Sequence, residues 1–287
     1  MTLCLGSRTF ADDDLLVMAI VNRTPDSFFD RGATFGLEAA LDAVDRAVAE
    51  GADIVDIGGV KAGPGDHVDA TEEIRRTADV VAAMRSRHPE LVISVDTWRA
   101  EVAAVLVEAG ADLINDSWGG VDPALAEVAA ASSVGLVCTH AGHQAPRTRP
   151  HRVGYTDVMA DVVETVTGLA QRAVTLGVRA DAILIDPGHD FGKNTRHSLE
   201  LTRRLGELVA TSWPVLVALS NKDFLGETLD LGLDERLEGT LAATAVSAWL
   251  GARVFRAHQV RATRRVLDTV SAIRGDRPPR VARRGLA

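Results

Sequence analysis

The sequence predicts an α/β fold, a closed (β/α)8 TIM barrel in a single domain, and three observations carry that expectation. A short apolar run stops at a polar residue and gives way to a helix. That unit recurs eight times along 287 residues, and no shift in composition interrupts the series. A doubly wound open sheet is the competing architecture, but no GxGxxG follows the first strand.

Leu15 to Val21 is the first unit: seven apolar residues without a charge, ending at Asn22. An uninterrupted run this short suits a strand buried on both faces, as in parallel sheets. Leu37, Ala40, Leu41, Val44, Ala47 and Val48 then recur at helical spacing until Gly51. Asp53–Ile57 is the second strand, followed by the loop Val60 to His67. Asp69 with Glu72 predicts a capping box for a helix through Ile74, Val81 and Met84. Leu91–Val95 ends at Asp96, and a helix from Arg99 stops at Gly110. Leu113–Ile114 ends at Asn115-Asp116, and Asp122-Pro123 reads as the start of the next helix.

Gly135–Cys138 leads to Thr139-His140, and the aperiodic stretch 141–155 predicts a mobile loop. A long helix to Leu176 ends at Gly177. Ala182–Ile185, Val215–Leu219 and Arg253–Phe255 complete the strands, and a last helix runs to about Ile273. The barrel is expected over 14–275, after a loosely held lead-in at 1–13. The stretch 276–287, with two prolines and four arginines, predicts a disordered basic tail.

Hydrophobic residues make up 46% and aromatics 4%, so the core must rest on aliphatic side chains. A net charge of -9 argues against broad nucleic-acid binding. Cys4 and Cys138 are far apart and form no CxxC pair, which argues against a disulfide scaffold or zinc-cysteine site. No apolar run approaches the ~20 residues that span a bilayer. No signal peptide is visible either, so a soluble cytoplasmic protein is expected.

The polar residues at the strand ends are Asn22, Asp96, Asn115, Asp186, Lys222, Arg256 and His258. In a barrel they face one mouth. The carboxylates and amide can meet the ring NH and amino groups of a flat heterocycle, while Lys222 donates to a ring carbonyl. Arg256 and His258, two apart on an extended segment, suit an anion, and Asn22 could support a metal or a phosphate oxygen. The competing reading is that Asp96, Asp122 and Asp186 cap the helices after them. His140 is expected to be a packed strand-end residue, and His67, His88, His143 and His151 to be solvated in loops.

The chain resembles dihydropteroate synthase from Leu16 to about Ile273. The resemblance rests on Asn22 with Thr24-Pro25-Asp26-Ser27-Phe28, on Gly51-Ala52-Asp53-Ile54-Val55-Asp56-Ile57-Gly58-Gly59 and on Ser94-Val95-Asp96-Thr97. It continues in Gly110-Ala111-Asp112-Leu113-Ile114-Asn115-Asp116, Asp186-Pro187-Gly188, Phe191-Gly192-Lys193 and Arg256 with His258. It implies a barrel that joins a dihydropterin pyrophosphate, usually with Mg2+, to p-aminobenzoate and releases pyrophosphate. By that analogy Asp96, Asn115, Asp186 and Lys222 hold the pterin, and Arg256 lies on its face. Asn22, Arg256 and His258 hold the pyrophosphate, with Asn22 the metal-side residue. The family also implies a homodimer formed through the last helices.

Departures from the family pattern gather at one end of the site. Lys61-Ala62-Gly63-Pro64-Gly65 stands where the family has Ser-Thr-Arg-Pro-Gly, and Ser220-Asn221-Lys222-Asp223 where it has Ser-Arg-Lys-Ser. Ala62, Gly63 and Asp223 therefore mark a degraded p-aminobenzoate side, with Asp223 opposing a substrate carboxylate. Arg23, Phe29 and Arg31 differ in the first loop, His189-Asp190 brings charge to the pterin floor, and Ala218 replaces a glycine. Lys61, Arg23 or Arg31 could stand in for the missing arginine, although lysine lacks its bidentate fork. Each lost charge-assisted hydrogen bond costs roughly 1.5 to 3 kcal/mol, and about 1.4 kcal/mol is tenfold. The sequence thus predicts a pterin-binding paralogue with weak or absent synthase activity. An active synthase with compensating loops, a pterin-dependent methyltransferase and a pure scaffold are the alternatives.

Overall fold

A computed structural model describes residues 2–24, 34–148 and 153–285. Its elements are β1 (Leu3–Leu5), β2 (Arg8–Phe10), β3 (Leu16–Asn22), α1 (Leu37–Ala49), β4 (Ile54–Gly58), α2 (Ala70–Arg87) and β5 (Val92–Asp96). There follow α3 (Ala100–Glu108), β6 (Leu113–Asp116), α4 (Leu125–Ser132), β7 (Gly135–Thr139), α5 (Val158–Leu176) and β8 (Ile183–Asp186). The chain closes with α6 (Thr195–Arg203), α7 (Leu205–Val209), β9 (Leu216–Ala218), α8 (Asp223–Leu229), α9 (Leu237–Trp249), β10 (Val254–Ala257) and α10 (Val260–Arg274). Every predicted barrel strand is present, with ends shifted by a residue or two.

β3 to β10 form one parallel sheet in the order β8-β7-β6-β5-β4-β3-β10-β9. A parallel bridge between Ile185 and Val215 joins its two edges and closes the barrel. Period-two alternation divides each strand. Val17, Val55, Ile93 and Ile114 pack outward against the helices. Leu16, Ile54, Val92, Leu113, Leu216 and Val254, each the first residue of its strand, and Leu184, the second of β8, fill the interior at one end. Polar interior positions are thereby left for the other end. Among the described residues no helix is long and apolar enough to cross a membrane.

The N-terminus corrects an expectation. Residues 3–10 are not loosely held: β1 and β2 pair as an antiparallel hairpin, and Leu3, Leu5 and Phe10 join the inner apolar cluster as a plug. The turn passes through Gly6 at φ +55°, where an added Cβ would come to 2.4 Å from Asp112 Oδ1. Asp122 also differs. Its Oδ1 accepts from Ala124 N at 3.1 Å in the turn leading to α4, which starts only at Leu125, while its Oδ2 accepts from Ala100 N at 2.8 Å and so caps α3 as well. Asp69 does cap α2, accepting from Glu72 N at 2.8 Å, but the Glu72 carboxylate turns to Arg75 and Arg76 instead of closing the box.

Residues 276–285 form neither helix nor strand; Arg277 pairs with Asp14, and Arg280 with Asp268 at 2.9 Å. The segment 141–148 docks on the loop after β4, where Arg147 donates to Gly63 O at 3.2 Å and Asp66 O at 2.5 Å. Pro25 to Phe29, Arg31 and His151 lie outside the described residues.

Candidate functional site

At the C-terminal ends of the strands a cavity of about 340 Å³ opens. Asn22, Asp96, Lys222, Arg256 and His258 line it. Asn115 and Asp186 are not on its wall; both are buried beneath it on β6 and β8. All seven strand-end residues therefore converge on the same end of the barrel, at two depths. Gly58 at the end of β4 keeps the floor open, since a Cβ there would meet Asp96 Cβ at 3.6 Å and Asn22 Oδ1 at 3.7 Å.

A residue missing from the predicted set organises the floor. Asp56, fully buried in β4, accepts from Ser94 Oγ at 2.6 Å, Asn115 Nδ2 at 3.2 Å and Arg256 Nε at 2.6 Å. Arg256 Nη2 donates to Asp96 Oδ2 at 2.8 Å, and Ser117 Oγ donates to Asp96 Oδ1 at 2.7 Å. Asp186 Oδ1 accepts from Gly188 N at 2.7 Å. Asp96 and Asp186 are thus tied into the barrel interior, and neither caps the helix after it.

Burial pushes the Asp96 carboxyl up to about 6, against the pull of Arg256. Burial likewise raises Asp186, opposed by Lys222. It lowers Lys222, opposed by Asp190 and then Asp186. Burial disfavours the charged form of Arg256, but Asp56 and Asp96 outweigh it. Four ionisable groups therefore hold one another in a polar floor that can offer both donors and acceptors to a planar ligand.

Above the floor stand aromatic rings. Trp118 meets Phe191 edge-on at 5.1 Å, and Lys222 Nζ lies 4.9 Å from the Phe191 ring centre. Lys222 also donates to His189 O. Lys193 fixes this loop: its Nζ donates to His140 O at 3.0 Å, Gly188 O at 3.0 Å and Phe191 O at 2.9 Å, and it lies 2.6 Å from His140 Nδ1. His140 is packed, as predicted, with Nε2 at 2.6 Å from Asp161 Oδ1. Burial and then Lys193 hold its pKa near about 4. His67 and His143 are exposed, whereas His88 bonds Asp45 at 2.8 Å.

The outer half has Lys61, Ala62, Gly63, Asp190, Asp223 and Arg236 on its wall. Asp223, exposed at the start of α8, pairs with Arg236 Nη1 at 2.9 Å. Its charge is therefore neutralised in place, which the sequence did not anticipate. Arg23 is not available to the cavity. It is buried against α2, with Nε donating to Arg76 O at 2.7 Å and Nη1 to Phe35 O. His189 is fully buried, stacks on Phe224 and is kept neutral by burial, so the added charge in that loop comes from Asp190 alone.

The family profile described as pterin binding enzyme matches residues 18–258. A Mycobacterium leprae protein named inactive dihydropteroate synthase 2 is 61% identical over 287 residues, covering 99% of both chains. Its Mycobacterium tuberculosis counterpart of the same name is 59% identical, covering 100% of this chain and 91% of that one. The Yersinia pestis dihydropteroate synthase, solved in a sulfonamide drug complex, superposes with a TM-score of 0.91 at 34% identity over 96% of this chain and all of that one. The barrel, its polar floor and these matches together assign the chain to the dihydropteroate synthase family of pterin binding enzymes.

Proposed function

We propose that the chain binds a dihydropterin pyrophosphate in the inner half of the cavity and condenses it with p-aminobenzoate weakly or not at all. The carrying observation is the contrast between the two halves. The floor bonds Asp96 and Asn115 to Asp56 and Arg256, and Asp186 and Lys222 act on each other electrostatically beside them. The outer wall presents Ala62 and Gly63, which offer no cation, Lys61, which lacks a bidentate fork, and an Asp223–Arg236 pair already satisfied within the chain. The names of the two mycobacterial relatives support the same conclusion.

Within the floor, Asp96 on the cavity wall accepts from the pterin amino and ring NH groups, with Asn115 and Asp186 beneath it, and Lys222 donates to the ring carbonyl. Arg256 lies against the ring, and Asn22, Arg256 and His258 face the anion. Pyrophosphate departure needs cations at the leaving oxygens, and attack needs the amine held in line. Removing two such contacts at roughly 1.5 to 3 kcal/mol each is enough to suppress turnover by orders of magnitude.

Among the described residues no group of three or more His, Cys, Asp or Glu gathers to hold a metal. Mg2+ commonly binds through one or two protein oxygens, with substrate phosphates and water completing its shell. Asn22, whose Oδ1 lies beside Gly58 at the cavity floor, fits that requirement once a pyrophosphate is present. The ion would there offset phosphate charge. Mg2+ should tighten pyrophosphate binding to the native chain and lose that effect in Asn22→Ala; equal Mg2+ dependence in both would remove Asn22 from the role.

A cytoplasmic homodimer completes the proposal, supported by two free cysteines and by exposed Val246, Trp249 and Ile273 on the last two helices. Sedimentation equilibrium of the native chain and Trp249→Lys tests the dimer; a native monomer would reject it. For the ligand, calorimetry with 6-hydroxymethyl-7,8-dihydropterin pyrophosphate should show saturable heat. Its absence would reject pterin binding.

A further inference from the structure

We infer that Asp223 is a built-in competitor. Its carboxylate occupies Arg236, a cation of the outer cavity that would otherwise recognise the carboxylate of a small second ligand.

The two partners are held very unequally. Arg236 lies in the connection before α9, with a side chain only 14% exposed, and it borders the cavity. Its Nη1 donates to Asn221 O and to Asp223 Oδ1, both at 2.9 Å. The face of the guanidinium presses on α8 at Gly226, where an added Cβ would stand 2.4 Å from Nε and Cζ and 2.6 Å from Nη2. Among the described residues its buried Nε has no hydrogen-bond partner. The cation is therefore fixed by backbone and by close packing, whatever Asp223 does.

Asp223 is the opposite case. Its side chain is 62% exposed and its carboxylate reaches the cavity. An exposed ion pair of this kind contributes little to stability, so the contact can be exchanged for another carboxylate. A ligand must nevertheless compete with an anion tethered to the same chain, whose effective concentration is of millimolar order. The acid-binding cation is therefore present but occupied. Carboxylates are the class it fits, because Nη1 already gives Asp223 Oδ1 a charge-assisted hydrogen bond that another carboxylate oxygen can accept.

The inference rests on the proposed pterin-binding reading only for its setting, and the test separates the two. The native chain, Asp223→Ser, Asp223→Asn and Asp223→Ser/Arg236→Gln are titrated with p-aminobenzoate, with and without the pterin pyrophosphate. Asp223→Ser should bind p-aminobenzoate about tenfold more tightly than the native chain, equivalent to about 1.4 kcal/mol. Asp223→Asn should follow it, because it discards the charge and keeps the size. Adding Arg236→Gln should return affinity to the native level. Unchanged p-aminobenzoate affinity in both single variants, or a gain that survives Arg236→Gln, overturns the inference. Pterin pyrophosphate binding in the same samples reports on the inner half, and its failure alone rejects only the pterin reading.

Discussion

Arg256 on β10 donates to Asp56 on β4 at 2.6 Å, and this bond ties the cavity-lining arginine to a carboxylate that never meets solvent. Asp56 also holds Ser94 and Asn115, so a single carboxylate sets the floor. Asp56→Ala leaves a buried cation short of a partner. It should lower stability by about 3 to 5 kcal/mol and weaken pterin binding, measured by urea unfolding and calorimetry. Native stability in that variant would remove Asp56 from the framework.

Asp96 gives the floor a pH dependence. Its folded pKa, about 6, lies above the ordinary 3.8, so the folded state binds more protons between those values. Its contribution to stability is fully present below that window and is lost as pH rises through it. Asp116, raised by burial to about 6, acts in the same direction. Pterin affinity should run the other way, because the deprotonated carboxylate is the acceptor. Affinity measured from about pH 5 to about pH 8 should rise across the window and flatten in Asp96→Asn. A slope surviving that substitution would assign the dependence elsewhere.

Lys193 should matter through the loop it pins. Lys193→Met leaves three carbonyl oxygens without their donor and His140 Nδ1 without its neighbour. At about 1 to 3 kcal/mol for an unsatisfied buried group, urea unfolding should show a clear loss of stability. Phe191, freed at its carbonyl, should exchange more broadly in NMR spectra. A variant as stable as the native chain would contradict the pinning role.

The N-terminal plug predicts an effect far from the cavity. Leu5 is fully buried among the first interior residues of the strands. Leu5→Ala should cost about 2 to 5 kcal/mol while leaving pterin affinity at the native level. Urea unfolding and calorimetry read the two quantities separately.

The barrel was legible because a parallel strand buried on both faces must be apolar for its whole length, and seven polar strand ends then marked one mouth. The plug was not legible. β1 and β2 have three residues each, and only the interior they fill explains them. Asp56 escaped because it sits two residues before the end of β4, although it shares the inward parity of Gly58. Trp118 follows the Asn115-Asp116 strand end closely enough to have been suspected. Arg236 lies in an aperiodic connection, and nothing local links it to Asp223. Arg23 invited a cavity role by composition, but packing against α2 gave it another.

The central claim is a cavity competent for the pterin and deficient for its partner. Pyrophosphate release should be followed with saturating dihydropterin pyrophosphate, Mg2+ and p-aminobenzoate, on protein whose pterin binding has been verified by calorimetry. Saturable pterin binding with no p-aminobenzoate-dependent release is the predicted result. Sustained release at the rate of the Yersinia pestis synthase, measured alongside, would contradict it.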